Sequence, residues 1–244
     1  FLLGEHDWWA KNRMPVYNEI AHIPLMIYHP DFKNKAGARI NSLTQTIDIM
    51  PTFLDFFNLD IPSEVSGNSL LNVLEKDNEI RKALIFGYFG SACNITDGEY
   101  TYFRYPEKMS ASDLYEYTLM PTRMTSRFSI KELSEMTLSN PFKFSKGLKL
   151  LKWKPKVSDK NDPLEVQGMT FEDTNSKLFN VNSDPRQELE LDEPETVRQL
   201  VHEMIDLMTK ADAPKEIFKR LNLNNWLERI MVKKNNVLII MADK

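Results

Sequence analysis

Two stretches at opposite ends of the sequence hold residue types that could do chemistry. Residues 1–30 read FLLGEHDWWAKNRMPVYNEIAHIPLMIYHP. Here Glu5, His6, Asp7, Lys11, Asn12, Arg13, Asn18, Glu19 and His22 crowd around Trp8, Trp9 and Tyr17, and Leu25 to Tyr28 follow as a short apolar run between Pro24 and Pro30. A run without polar alternation suits a strand buried on both faces of a parallel sheet. A polar, aromatic, proline-marked loop feeding a buried strand is where an α/β enzyme keeps binding groups. At the other end, Val237 to Ala242 is an uninterrupted apolar run that stops at Asp243. A central parallel strand delivers a carboxylate to the carboxyl edge of its sheet in this way.

The elements that must position these groups follow from the sequence between them. With 244 residues the chain is long enough for one good core or a domain and a half, and 35 acidic against 31 basic residues argue against a bulk polyanion-binding role. No nucleic-acid partner is expected on that balance. No apolar run approaches the roughly 20 residues needed to cross a bilayer, so no membrane partner is expected, and Phe1 opens no signal-peptide pattern. The lone Cys93 excludes an internal disulfide framework and a multi-cysteine zinc site, and reads as a small buried filler. Asn94-Ile95-Thr96 fits the glycosylation acceptor pattern, a short pattern common by chance.

After a polar surface loop from Asp31 to Ala38, the segment Ser42 to Phe57 enters a short helix with Asp48 as cap, Pro51 in the first turn and an apolar face of Phe53, Leu54, Phe56 and Phe57 packed on a sheet. Ala83 to Phe89 is a strand candidate. Asp97-Gly98 marks a tight turn before an alternating run, Glu99 to Tyr105. Ser129-Ile130-Lys131-Glu132 is a capping box. Lys143, Lys146, Lys149 and Lys152 recur every third residue among Phe144, Leu148, Leu151 and Trp153. Such interleaving could bind a nucleic-acid backbone or an anionic tail, but a solvated lysine face over apolar anchors is preferred given the acidic whole. Lys177 to Glu188 is a strand ending in an Asp-Pro turn. Pro194 starts a helix with Val197, Leu200, Val201, Met204, Ile205 and Met208 inward, and Pro214 another with Ile217, Phe218 and Leu221 inward.

Several of these segments carry a resemblance. Leu3-Gly4-Glu5-His6, Trp9-x-Lys11 and Tyr17-Asn18-Glu19-x-x-His22-Ile23-Pro24-Leu25 resemble the segment that follows the metal-binding Asp-His-Gly or Asp-Asn-Gly of the formylglycine-dependent sulfatases, in the alkaline-phosphatase-like superfamily. That triplet is absent before Phe1, and His22 stands where the family usually has arginine. Asp48-x-x-Pro51-Thr52-x-x-Asp55, then Ile61-Pro62 and Gly67-Asn68-Ser69-Leu70, are similar to a later family segment. Leu178 to Gln187 resembles the signature Leu-Tyr-Asp-Leu-x-x-Asp-Pro-x-Glu. Asn236-Val237-Leu238-x-Ile240-x-x-Asp243 resembles the family's opening, with Lys244 where a second acidic or amide ligand often follows. The family's end therefore comes first here and its beginning last.

The resemblance implies an α/β fold of the alkaline-phosphatase-like kind: a mixed, mainly parallel sheet flanked by helices, with a small antiparallel C-terminal subdomain. Residues 1–75 would be part of the α/β core, 76–230 the subdomain with an inserted arm and terminal helices, and 231–244 the first core strand. It implies a sulfuric ester hydrolase in which Lys11 contacts the sulfate, His6 lies on the substrate side and Asp243 binds a divalent cation, Ca²⁺ first, with Mg²⁺ or Mn²⁺ as alternatives. Carboxylate oxygen suits such hard cations. His22 would brace the loop, and His29 and His202 would be surface groups. The formylglycine nucleophile arises in the family from a Cys/Ser-x-Pro/Ala-x-Arg motif, which Cys93 lacks, so it belongs to a missing segment and the chain alone should be inactive. The partner would be a small anionic sulfate ester, with a homo-oligomer contact through the 115–163 arm as a further expectation. A phosphonate or phosphodiester hydrolase of the same superfamily, and a non-catalytic binding or oligomerisation module, remain as alternatives. Were Met231 a start, only Val232 to Asn236 would precede the first strand, leaving no room for an export signal and implying a cytoplasmic protein.

Overall fold

The computed structural model describes residues 2–9, 14–35, 37–107, 109, 114–120, 122, 126–154 and 175–224. Their organising element is a four-stranded antiparallel sheet, ordered β1 (Leu84–Phe86), β2 (Cys93–Thr96), β3 (Tyr100–Arg104) and β7 (Lys177–Asn180). The β2–β3 hairpin forms because Asp97 and Gly98 supply its turn. Asp97 Oδ1 accepts the N–H groups of Glu99 and Tyr100 at 3.0 and 2.7 Å, and Gly98 takes the left-handed φ of 93° that a side chain resists.

Cross-strand register puts Ile95, Tyr102 and Leu178 on one face of this sheet and Phe103 and Phe179 on the other. The first face meets α5 (Pro194–Lys210), whose Leu200, Val201, Met204, Ile205 and Met208 form the buried stripe expected from their spacing. Phe218 of α6 (Lys215–Arg220), with Leu221 and Leu223, completes this core. Arg104 on β3 closes the end of α6, donating from Nε to the Leu221 carbonyl at 2.9 Å and from Nη2 to that of Asn222 at 3.2 Å. The opposite face is covered by the N-terminal segment, where Met14 and Val16 pack with Ala92, Phe103, Tyr105 and Phe179. The antiparallel sheet is thus the floor on which residues 14–21 rest.

A second antiparallel sheet, β4 (Glu116–Thr118), β6 (Leu151–Trp153) and β5 (Thr137–Leu138), builds the arm. Helix α4 (Ile130–Glu135) starts at the expected capping box: Ser129 Oγ accepts the Glu132 N–H, and Glu132 accepts that of Ser129 at 2.8 Å. Two lysines of this arm bind the protein's own carboxylates. Lys152 Nζ lies 2.5 Å from Glu216 on α6 and 4.1 Å from the centre of the Tyr115 ring, and Lys146 pairs with Glu64. Tyr117 donates its hydroxyl to the same Glu216, and burial together with that carboxylate pushes the phenol up to about 12. Burial alone would raise the Glu216 carboxyl, but Lys152 and Tyr117 outweigh it and hold it low. Lys152 thus ties the arm to α6, and Lys146 ties it to the segment around Glu64.

The segment from Asp48 to Leu70 shows why its residue types recur at their spacing. Asp48 precedes α2 (Ile49–Phe56) and is fully buried, but its carboxylate does not cap that helix. It accepts instead the N–H groups of Gln45 (2.7 Å) and Asn68 (2.9 Å) and both ends of the Arg81 guanidinium (2.6 and 2.5 Å). Thr52 Oγ1 accepts the Leu70 N–H at 2.9 Å, and Asp55 takes the Ser69 hydroxyl. Gly67 is obligatory, because a Cβ there would sit 2.0 Å from the Ile47 carbonyl oxygen. The whole segment is a clamp between α2 and the chain entering α3 (Leu71–Lys76).

Three expectations are not met among the described residues. Leu25 to Tyr28 forms no strand, and all four side chains are exposed, Met26 at 89%. The expected parallel sheet is not found among the described residues, where both sheets are antiparallel. The helix at 49–56 forms as expected, but its apolar face does not pack on a sheet: Met50, Phe53 and Phe57 are exposed, Phe53 at 60%. The cause is common to all three. A strand exists only through its neighbours' hydrogen bonds, and an apolar helix face is buried only if a layer lies opposite.

Candidate functional site

Residues 3–9 make a tight hairpin. Leu3 and Trp9 form an isolated antiparallel bridge, the Gly4 N–H donates to the Trp8 carbonyl at 2.8 Å, and Trp8 N–H to that of Glu5 at 3.1 Å. Glu5–Asp7 is a single 3₁₀ turn between them, with His6 and Asp7 in the left-handed region at φ 52° and 58°. The Glu5 side chain stabilises the turn by accepting the Leu3 N–H at 2.5 Å, a contact that lowers its carboxyl from the usual range.

This geometry turns the His6 ring inward. It stacks flat on Tyr17, with centroids 3.6 Å apart and planes 8° apart, and its Nε2 lies 3.7 Å from Glu19 Oε2. Both side chains are largely covered, at 13% and 19% exposure. Tyr17 in turn packs on Phe103 of β3 and Phe179 of β7 at 5.5 and 6.2 Å. Tyr17 precedes α1 (Asn18–Ala21), and the first N–H of that short helix is taken by Gln187 Oε1 at 2.7 Å. Gln187 is 2% exposed and follows the Asp184-Pro185 turn. The loop is therefore held at its hairpin tip, at Tyr17 and at α1, each time by the antiparallel sheet or its adjoining turn.

Of the sequence-predicted site residues, His6 lies in this clasp, while Lys11 and Asp243 fall outside the described residues. His22 ends α1 with an exposed side chain, so the loop is braced by Tyr17, Glu19 and Gln187 instead. His202 is on the surface, as expected. His29 is not: its ring sits against Phe32 and Phe56, and its Nδ1 accepts the Asp31 N–H at 3.1 Å. Cys93 packs against the main core, and burial pushes its thiol up to about 12, which leaves almost no thiolate at neutral pH. Among the described residues no group of three or more His, Cys, Asp and Glu side chains gathers as a metal site. Sequence reasoning placed Glu19 in the polar crowd without a role and gave Gln187 none. The Asp-Pro turn was the one signal near Gln187.

Comparison with known proteins decides the affiliation of this loop. Residues 4–140, more than half of the chain, match the family described as N-sulphoglucosamine sulphohydrolase, C-terminal. The chain belongs to that family. The N-sulphoglucosamine sulphohydrolase C-terminal match begins at Gly4 of the hairpin and runs through α1, the Asp48 clamp and the β2–β3 hairpin to the end of β5. Among the relatives of this family member is an N-acetylglucosamine-6-O-sulfatase of Bacteroides thetaiotaomicron, 28% identical over 183 residues, which are 70% of this chain and 31% of that protein. An arylsulfatase of Clostridium perfringens is 36% identical over 88 residues, 35% of this chain and 18% of the relative. Arylsulfatase K of Mus musculus is 28% identical over 149 residues, 55% and 26% respectively. The chain thus spans less than a third of each relative's length.

Proposed function

We propose that this chain is the carboxy-terminal part of a sulfatase, a hydrolase of sulfate monoesters, and that its 3–22 loop handles the substrate's anionic group. The observation that carries the reading is the family match, which opens at the hairpin whose tip bears His6. In this reading the Lys11 ammonium, two residues beyond the Leu3–Trp9 bridge, binds a non-bridging sulfate oxygen, and His6 hydrogen-bonds on the substrate side. Fixed positive charge facing the spreading negative charge of the transition state lowers the barrier to sulfuryl transfer.

The parallel sheet belongs to the same proposal. Its strands would include Val237 to Ala242. Formylglycine would serve as nucleophile, and a divalent cation, Ca²⁺ first, would supply Lewis-acid polarisation of the sulfuryl oxygens. Among the described residues no group of three or more His, Cys, Asp and Glu side chains gathers as a cation site, and in this reading the chain contributes Asp243 to holding the cation.

Turnover by the full-length protein that carries this chain tests the reading. An aryl sulfate, and N-acetylglucosamine 6-sulfate in view of the bacterial relative's name, should be hydrolysed faster than an aryl phosphonate. Preference for the phosphonate would transfer the assignment to the phosphonate and phosphodiester hydrolases. No turnover of any of these esters would leave a non-catalytic module.

A further inference from the structure

His6 Nε2 and Glu19 Oε2 face each other out of contact with solvent, 3.7 Å apart, and neither has a hydrogen-bond partner among the described residues. A histidine kept only for packing has its buried nitrogen satisfied within its own surroundings. Here the stack on Tyr17 sets the plane of the ring, and Nε2 stands just beyond hydrogen-bond distance of the carboxylate. Hydrogen bonds of working sites are often long in a ligand-free protein and tighten when substrate binds.

We infer that Glu19 is a positioning residue for His6. Its carboxylate accepts the hydrogen bond from Nε2–H, fixes the tautomer, and so leaves Nδ1 as the ring nitrogen for the substrate side. Tyr17 sets the ring plane, and Gln187 holds the start of the helix that carries Glu19 through its 2.7 Å bond to Asn18 N–H. The antiparallel subdomain thereby acts on the site through this helix. The inference rests on the sulfatase reading, which gives His6 its substrate-side place.

The test is a double-mutant cycle in the full-length protein with an aryl sulfate, comparing wild type, Glu19→Gln, His6→Gln and the pair. Glu19→Gln is isosteric and should lower kcat/KM by about 10-fold, mainly through kcat, with His6→Gln costing at least as much. The double variant should fall within about twofold of His6→Gln, because Glu19 has nothing left to position. Wild-type activity in Glu19→Gln, or a double variant at the product of the two single losses, overturns the inference while the sulfatase reading stands. A wild type that turns over no sulfate ester overturns that reading and this inference together. Should Glu19→Gln not fold, Glu19→Asp takes its place, since it draws the carboxylate away from Nε2 and must show the same coupling to His6→Gln. Multiplicative losses there overturn the inference equally.

Discussion

Replacing Asp48 with asparagine is expected to destabilise the protein by about 3–5 kcal/mol, because it leaves the buried Arg81 guanidinium without its counter-charge. The Asp48 side chain is 0% exposed, Arg81 is 10% exposed, and the two are joined by paired contacts of 2.6 and 2.5 Å. Urea or thermal unfolding of wild type and Asp48→Asn reads the loss directly. Asp48→Ala combined with Arg81→Met should be less damaging than Asp48→Asn alone, since no charge is then buried unpaired. The sign of the pH dependence follows from the same contacts. Burial by itself would raise the Asp48 carboxyl, but Arg81 and the N–H groups of Asn68 and Gln45 more than offset it, so its folded pKa lies below the ordinary value. Asp48 therefore contributes its stability in full above the unfolded carboxylate range. That contribution is lost as pH falls below about 4 toward the folded pKa. In Asp48→Asn this part of the acid sensitivity should be missing, and an unchanged acid limb would refute the assignment.

Replacing Lys11 with methionine is expected to lower kcat/KM of the full-length protein for an aryl sulfate by about 10²- to 10³-fold, the range found when one preorganised group facing a developing anion is removed. Methionine keeps the length and the apolar stem of lysine, so the variant isolates the ammonium. The melting temperature should stay close to wild type, because the substitution removes the charge and keeps the apolar stem. Arginine at the same position keeps the charge but not its point-like geometry, and should restore part of the rate. A kcat/KM within about threefold of wild type for Lys11→Met would show that the sulfate is held by other groups.

The legible parts of the fold are those whose signal is local. Helix α5 is written in the three-and-four spacing from Val197 to Met208 behind Pro194, α4 in the Ser129 capping box, and the β2–β3 turn in Asp97-Gly98. Strand β2 was not legible, because Cys93–Thr96 is four residues long and carries Asn94, a polar residue buried to 1% against the second core face. Leu25 to Tyr28 reads as a buried strand for a sound reason, since its composition is that of one, but a strand needs neighbours that the described residues do not supply. The exposed Met50 and Phe53 of α2 carry the same lesson: amphipathic pattern tells which face is to be covered, and is silent on what covers it.

The site divides in the same way. His6 stood out by residue type, and the resemblance of its surroundings gave it a place beside an anion. Its partner did not stand out, because Glu19 lies 13 residues along the chain with no repeat to align the two, and their 3.7 Å approach accompanies a left-handed turn at His6. Gln187 is more remote still, 169 residues from the Asn18 N–H it accepts. Contacts of that separation are products of the β3–β7 pairing, which no local pattern encodes.

The most direct test of the account is an experimental structure of the full-length protein with sulfate bound. The account predicts the anion within hydrogen-bond reach of Lys11 Nζ, beside the hairpin that carries His6, with the Asp243 carboxylate on the same rim of a shared parallel sheet. A sulfate bound away from the 3–22 loop, with Lys11 and Asp243 on opposite sides of the molecule, would contradict it.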